Sequence, residues 1–355
     1  MYIASLDASK AFDRINHYKL FSTLIKRGFP MSFTNMICNW YGKLVVKIRW
    51  NGQESSSLVV ASGVRQGGIL SPVLFNLYVD CILVTLRAKT LGCHLHNVFA
   101  GCLMYADDLL LVSASVIDLQ IMLNVTGDVG RSLGLTFNCM KSNCVSIGCK
   151  KIDNLASLTI NGTVIQWANS IKYLGICISA GKSFKTDLSM TRRKFFASVN
   201  CILSKCQYTS DIVKLQLVES HCLPILLYAC ESLNLKGAEL QSLNSWWNSV
   251  YRKIFHYHKW ESVKEIIHFL GRLDLVHLVN LRQMQFIKKL SICDNNSALK
   301  TITKMFIRSS ECFALFAKFN SSIFWTCGKI KAMLYVSSRH RFGILPTVYA
   351  PLECI

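Results

Sequence analysis

Apolar residues recur at helical spacing from Asn16 to Arg27, through Tyr18, Phe21, Leu24 and Ile25, and Gly28 and Pro30 end the pattern. Before it, Tyr2 to Leu6 reads as a short strand that delivers Asp7 at its end. A second helical segment, Ser32 to Tyr41, precedes "LVVKIRWNGQESSSLVVASG", two strands joined through Asn51-Gly52, a strong hairpin signal. "SPVLFNLYVDCILVTLR" follows as a helix, with Ser71 placed to cap it and Pro72 at its first position. Leu103 to Ser113 splits into two short apolar strands around Asp107-Asp108, a hairpin with carboxylates at its tip. Ser115 and Asp118 begin a further helix in capping-box fashion; its apolar face is Leu119, Met122, Leu123, Val129 and Leu133, and Gly134 suits its C-terminal cap. Strands are expected near Leu135–Asn138 and Cys144–Ile147, a hairpin at Asn161-Gly162, and one more strand over "IKYLGICIS".

From Lys182 onward the pattern turns helical and basic: Lys182, Lys185, Arg192, Arg193, Lys194 and Lys205 face a single acid, Asp187. A domain break is therefore placed near residue 181. Beyond it lie Trp246, Trp247 and Trp260 among many Lys and Arg; aromatic residues at such spacing serve either as core or as platforms for unpaired bases. There is no internal repeat and no low-complexity tract. The strand, helix, hairpin, helix, strand order of the first part predicts a ferredoxin-like split βαβ sheet. Its central strands would carry Asp7 beside the Asp107-Asp108 hairpin.

Charge narrows the function. The 355-residue chain holds 40 Lys plus Arg against 20 Asp plus Glu, a formal charge of +20, and such a surplus attracts a polyanion by counterion release. Nucleic acid is the first candidate, an anionic membrane surface the second. The opening MYIASLDASK lacks a basic region followed by an apolar core, so the chain is expected to stay inside the cell, in cytoplasm or nucleus. The most apolar stretch, Ile69 to Leu86, is interrupted by Pro72, Asn76 and Asp80, so it reads as a buried helix and no membrane span is expected. Sixteen scattered cysteines point to reduced, mostly buried thiols. Cys139, Cys144 and Cys149 lack zinc spacing, and His256 and His258 read as solvated or packing residues.

Two adjacent carboxylates inside an apolar run are costly unless cations sit among them, since an unpaired buried ion costs several kcal/mol. Oxygen-only donors on a shallow site suit Mg²⁺, which keeps water and substrate phosphates in its shell. A pair of such ions about 3.5 to 4 Å apart supports in-line phosphoryl displacement, with Asp7 and Asp107 bridging and Asp108 close behind.

The chain resembles the reverse transcriptases of non-LTR, LINE-type retrotransposons through five motifs in the family's order. "LDASKAFD" (6–13) matches motif A, "SGVRQGGILSPVLFNLYVD" (62–80) motif B, "YADD" (105–108) motif C, "GLTFNCMKS" (134–142) motif D and "YLGICIS" (173–179) motif E. The resemblance implies a right-hand polymerase palm followed by a helical thumb: an α+β fold with palm motifs over 1–150, a primer-grip hairpin over 151–181, a basic helical thumb over 182–235 and a helical C-terminal region over 236–355. It implies that Asp7, Asp107 and Asp108 hold two Mg²⁺, with Mn²⁺ as a substitute. Phe12 is then a steric gate against a 2′-hydroxyl, although on its own it reads as a core ring beside a turn. Gln66 and Gly67 then lie against the incoming nucleotide and the template, and Lys141 meets the pyrophosphate. Leu174 and Gly175 form the primer grip, and Lys182, Lys185, Arg192, Arg193 and Lys194 track the nucleic-acid backbone. Asp13 reads as the cap of the following turn.

The expected reaction is RNA-directed DNA synthesis from deoxynucleoside triphosphates on an RNA template with a DNA primer; an element-encoded partner protein and an undefined oligomeric state complete the picture. The chain opens six residues before Asp7, without the fingers and endonuclease regions usual in the family. Loss of such cationic clamps costs about 10² to 10³ in rate per donor, so weak or no activity of this chain alone is expected. The alternatives are a catalytically inactive nucleic-acid-binding remnant and, more remotely, another metal-dependent nucleotidyl transferase on the same kind of palm.

Overall fold

A computed structural model of the protein describes residues 1–148, 155–293 and 297–318; Cys149 and the stretch 319–355 of the expected C-terminal region lie outside them. The chain divides into two compact units, residues 1–187 and 188–355.

In the first unit the elements run β1 (Tyr2–Asp7), a 3-10 turn (Phe12–Arg14), α1 (His17–Lys26), α2 (Met31–Gly42), β2 (Val45–Val46), β3 (Arg49–Trp50), β4 (Gln53–Glu54), β5 (Leu58–Val59) and α3 (Ser71–Ala88). They continue with β6 (His94–Leu95), β7 (Val98–Phe99), β8 (Cys102–Tyr105), β9 (Asp108–Ser113), α4 (Val116–Leu133), β10 (Asn143–Ser146), β11 (Leu158–Ile160), β12 (Thr163–Trp167), β13 (Ser170–Tyr173), β14 (Ile176–Ser179) and β15 (Lys185–Thr186). The main sheet has the order β11-β12-β10-β1-β9-β8. Its four strands β10-β1-β9-β8, antiparallel throughout, have the connectivity of the split βαβ sheet that the element order predicts.

Register decides which side chains share a face. Ile3 lies opposite Val112, Ser5 opposite Leu110, and Asp7 opposite Asp108, so these six point to one side. The other face presents Ala4, Leu6, Leu109, Leu111 and Cys144, all buried in one core with Leu20 and Leu24 of α1, Phe75, Tyr78 and Ile82 of α3, and Leu119, Met122 and Leu123 of α4. On the carboxylate side, Ile3, Leu110 and Val145 pack against Ile171 and Ile178, from the separate β13-β14-β15 sheet. The central strands β1, β9 and β10 are thus covered on both faces, and Asp7 and Asp108 lie where β1 ends and β9 begins.

Several local expectations change. Ser71 does not cap α3: it is the helix's first residue, and its hydroxyl donates to the Arg65 carbonyl at 2.5 Å, bracing the preceding loop. Asp13 caps nothing; no side-chain cap is present on its 3-10 turn, and its carboxylate accepts from Gln66 Nε2 at 3.1 Å. Residues 135–138 form no strand, only an isolated bridge from Phe137 to Ala8, because the chain there wraps the end of β1. "IKYLGICIS" is two strands, β13 and β14, folded back at Leu174-Gly175, both at positive φ, like the Asn51-Gly52 and Asn161-Gly162 turns. The helical, basic pattern begins at Ser189; Lys182 and Lys185 precede it, Lys185 as part of β15. Ser115 does cap α4, and Gly134 closes it in the left-handed conformation.

By length and composition α3 is apolar enough to cross a membrane. Leu74, Phe75, Tyr78, Val79, Ile82 and Leu86 are buried along it, and Asp80 pairs with Arg27, which follows α1, as in the core helix of a globular domain. The described cysteines are free thiols, and burial pushes Cys102 and Cys144 up to about 12, which makes them packing groups.

The second unit is helical: α5 (Ser189–Lys205), α6 (Asp211–His221), α7 (Leu223–Leu226), α8 (Gly237–Ile254), α9 (Lys264–Phe269), α10 (Leu275–Ile292), α11 (Ser297–Ile307) and α12 (Ser310–Ala317). Phe195, Val199, Leu215, Val218, Leu243, Trp247, Val250 and Tyr251 form its core. Trp247 is therefore core, whereas Trp246 is half-buried beneath the Arg192 guanidinium, 5.7 Å from its ring, and Trp260 is exposed, stacked on His258. Arg192, Arg193 and Lys194 are exposed on α5.

Candidate polymerase site

The acidic end of the sheet is built by backbone pairing. β8 and β9 meet in the turn Tyr105–Asp108, where Ala106 holds a positive φ of 52°, uncommon for a residue with a side chain and a place where strain is stored. That turn puts Asp108 first in β9, opposite Asp7, and leaves Asp107 at the tip. The Asp108 carboxyl is raised above its ordinary value, first by burial and then by the negative charges of Asp107 and Asp7, against an opposing pull from Lys172. Asp108 thus stands within the electrostatic reach of both other carboxylates.

Their side chains do not close a ready cage. Among the described residues no group of three or more His, Cys, Asp or Glu is placed to hold a metal ion. Lys141 Nζ lies 4.0 Å from Asp7 Oδ2. The donor chemistry still fits a hard cation, since all three groups are carboxylates and their mutual repulsion is what a cation relieves.

Residues that sequence reasoning missed fix the position of Asp7. Its backbone N–H donates to Ser142 Oγ at 3.2 Å, the Ser142 hydroxyl donates to Asn138 O at 2.8 Å, and Asn138 N–H donates to Asp7 O at 2.8 Å. Ser142 is buried, and nothing in "NCMKSNC" distinguishes it from a loop serine; only the fold gives it this role.

The candidate gate and the motif B loop are zipped together. Val64 N–H donates to Phe12 O and Gly63 N–H to Ile15 O, each at 2.8 Å, while the Gly63 carbonyl lies 2.7 Å from His17 Nε2. Phe12 is half-buried, its ring stacked on Phe75 of α3 at 4.5 Å, so the core sets its height. Gln66 is tied to Asp13, and Gly67 has φ 79° with open space where a Cβ would stand. Beside them opens a cavity of about 580 Å³ lined by Trp40, Tyr41, Leu44 and residues 65–71.

At Leu174-Gly175 the β13–β14 turn projects from strands that pack on the carboxylate face, and the Tyr173 hydroxyl lies 3.5 Å from Leu103 O. Burial, then the charge of Asp108, pushes the Tyr173 phenol up to about 12. Lys182 and Lys185 are exposed in this same unit; Arg192, Arg193 and Lys194 belong to the other.

A split βαβ sheet with paired carboxylates at the end of its central strands, a glycine-rich loop ahead of a core helix, and a tight hairpin on the acidic face define a nucleotidyl-transfer palm. The sequence narrows the class: residues 1–178 match the profile of the reverse transcriptases, RNA-dependent DNA polymerases, and the chain belongs to that family, whose members generally use divalent metal ions. It is 38% identical over 149 residues to the Pol polyprotein of the type-2 retrotransposable element R2DM of Drosophila melanogaster, covering 42% of this chain and 14% of that protein. With a Pol polyprotein from an R2 element of Popillia japonica it shares 29% identity over 265 residues, 72% of this chain and 42% of the relative. The chain thus spans well under half of either. The motif resemblance to non-LTR retrotransposon enzymes holds. Among solved structures, apo telomerase from Candida tropicalis aligns with a TM-score of 0.42 at 12% identity, over 94% of this chain and 53% of that one.

Proposed function

We propose that the chain is the palm and thumb portion of a retrotransposon RNA-directed DNA polymerase. It adds deoxynucleotides to a primer 3′-hydroxyl on an RNA template. The observation that carries this reading is the opposition of Asp7 and Asp108 across β1 and β9, with Asp107 in the adjoining turn. Asp7, Asp107 and Asp108 would hold two Mg²⁺, or Mn²⁺ in their place; the ions supply charge neutralisation for the attacking and leaving oxygens.

The chain's own residues position the reactants. The primer 3′-oxygen forms a bond to the α-phosphorus, the bond to the pyrophosphate oxygen breaks, and Lys141 stands beside Asp7 to meet the departing charge or give it a proton. Phe12, held by Phe75, lies under the sugar and disfavours a 2′-hydroxyl. Gln66 offers its amide and Gly67 its bare backbone to the incoming nucleotide. Leu174 and Gly175 hold the primer end. Lys182, Lys185, Arg192, Arg193 and Lys194 contact phosphates without reading sequence.

The test is primer extension on a primed RNA template with Mg²⁺, at enzyme excess so that a single addition registers. Incorporation by the parent that disappears in Asp107→Asn supports the reading. Incorporation indifferent to that change overturns it. No incorporation alongside strongly salt-dependent RNA binding that survives loss of all three aspartates would transfer the chain to the class of nucleic-acid-binding remnants, the second reading that the +20 charge favours.

A further inference from the structure

Residues 43–60 form a two-stranded ribbon that buries little of itself. β2 pairs with β5, and β3 with β4, in ladders two residues long, and every residue from Val45 to Glu54 is exposed, Trp50 at its tip by 82%. A hairpin with so little packing is marginal in water, and an exposed indole adds apolar surface without return in the free protein. Both features make sense in a surface that acquires a ligand.

The chemistry of that surface is specific. Between residues 43 and 70 stand Lys43, Lys47, Arg49 and Arg65 against one acid, Glu54, which Lys47 already engages at 3.4 Å. β3 consists of Arg49 and Trp50 alone, and as neighbours in a strand they point to opposite sides of the ribbon. The root of the ribbon is anchored: Leu44 N–H donates to Tyr41 O, and Val60 N–H to Leu44 O. Leu44 also lines the cavity of about 580 Å³ that holds half-exposed Trp40, Arg65, Gln66 and Gly67. A cavity of that volume suits a nucleotide-sized ligand. Ribbon and cavity are therefore continuous, aromatic at both ends and basic between.

We propose that the β2–β5 ribbon and the cavity at its root form one track for single-stranded nucleic acid, in which Trp50 and Trp40 stack on unpaired bases and Lys43, Arg49 and Arg65 meet phosphates. A single strand is the occupant the surface selects, because unpaired bases offer faces to indoles whereas a duplex offers only its phosphates and edges. That this strand is the template rests on the polymerase reading; its binding here does not.

The experiment measures binding of a fluorescein-labelled single-stranded RNA oligonucleotide, and of the same sequence as a duplex, to the full chain by anisotropy in EDTA, where no catalysis occurs. Trp50→Ala and Trp40→Ala are each expected to weaken single-strand binding about tenfold and to leave duplex binding unchanged. Arg49→Gln is expected to lower the slope of log affinity on log salt by about 0.7. Trp50→Phe, which keeps a ring at the tip, should restore most of the loss. Unchanged single-strand affinity in the Trp50→Ala, Trp40→Ala double variant overturns the proposal, as does an equal loss on the duplex or no single-strand binding by the parent. Loss of self-association in Trp50→Ala, with RNA binding intact, would instead assign the ribbon to a second copy of the chain. Asp107→Asn should bind the oligonucleotide normally while losing primer extension, which keeps failure of the track separate from failure of the polymerase site.

Discussion

Two of the three glycines of the motif B loop, Gly63 and Gly67, should respond very differently to a single methyl group. Gly63 and Gly67 both have positive φ, 88° and 79°, where a residue with a Cβ is strained by about 1–2 kcal/mol. Only Gly63 is also enclosed: a Cβ there would stand 2.9 Å from Asp13 Cα and Asp13 O and 3.0 Å from Phe12 O, all backbone atoms, whereas Gly67 faces open space. Backbone cannot rotate aside, so overpacking adds about 1–3 kcal/mol at Gly63. Gly63→Ala should therefore cost about 2–5 kcal/mol and Gly67→Ala only about 1–2. For a unit of this size each kcal/mol moves the melting temperature about 2–4 °C, so scanning calorimetry on the full chain should show Gly63→Ala about 4–20 °C down. Gly63→Ala should also slow primer extension by separating the Gln66 loop from Phe12, since the Gly63 and Val64 amides bridge the two. Equal melting shifts for the two variants would refute the close packing of this loop on the Phe12–Ile15 segment.

Asp108 gives a pH prediction with a definite sign. Its folded carboxyl is raised, so the folded state binds the proton more tightly, and stability falls as pH climbs from the ordinary carboxylate range through the raised value. Asp108→Asn should accordingly stabilise the chain at neutral pH by about 0.5 kcal/mol, the scale of a solvent-screened charge interaction, and flatten that pH dependence in thermal melts. Adding Mg²⁺ should stabilise the parent by about 1.4 kcal/mol at ten times its dissociation constant and so raise its melting temperature, and EDTA should reverse this; Asp7→Asn should abolish the response. Trp247→Ala, which empties a site only 1% exposed, should cost about 3–5 kcal/mol by urea denaturation, while Trp260→Ala should change stability by less than about 0.5.

Much of the fold was legible in the linear pattern because it rests on local physics. Short apolar runs marked β1 and β9, Ser115 and Gly134 bounded α4 through hydrogen bonds made within a few residues, and Asn-Gly pairs marked their turns. The five ordered motifs likewise marked the acidic residues and the family, and the match over residues 1–178 bears the family out. What the chain's letters could not decide was anything set by residues far apart in sequence. Ser71 and Asp13 look like caps, yet each turns to a partner brought by the fold, Arg65 O and the Gln66 amide. Ser142 looks like a loop serine until β10 lies beside β1 and puts it under Asp7. Trp247 and Trp260 read alike as aromatics among cations, but one is buried in a helical core and the other is exposed, stacked on His258. Short-range hydrogen bonding and periodicity are written residue by residue; burial, charge proximity and the sharing of a sheet face depend on register between distant strands, and only the assembled sheet fixes that.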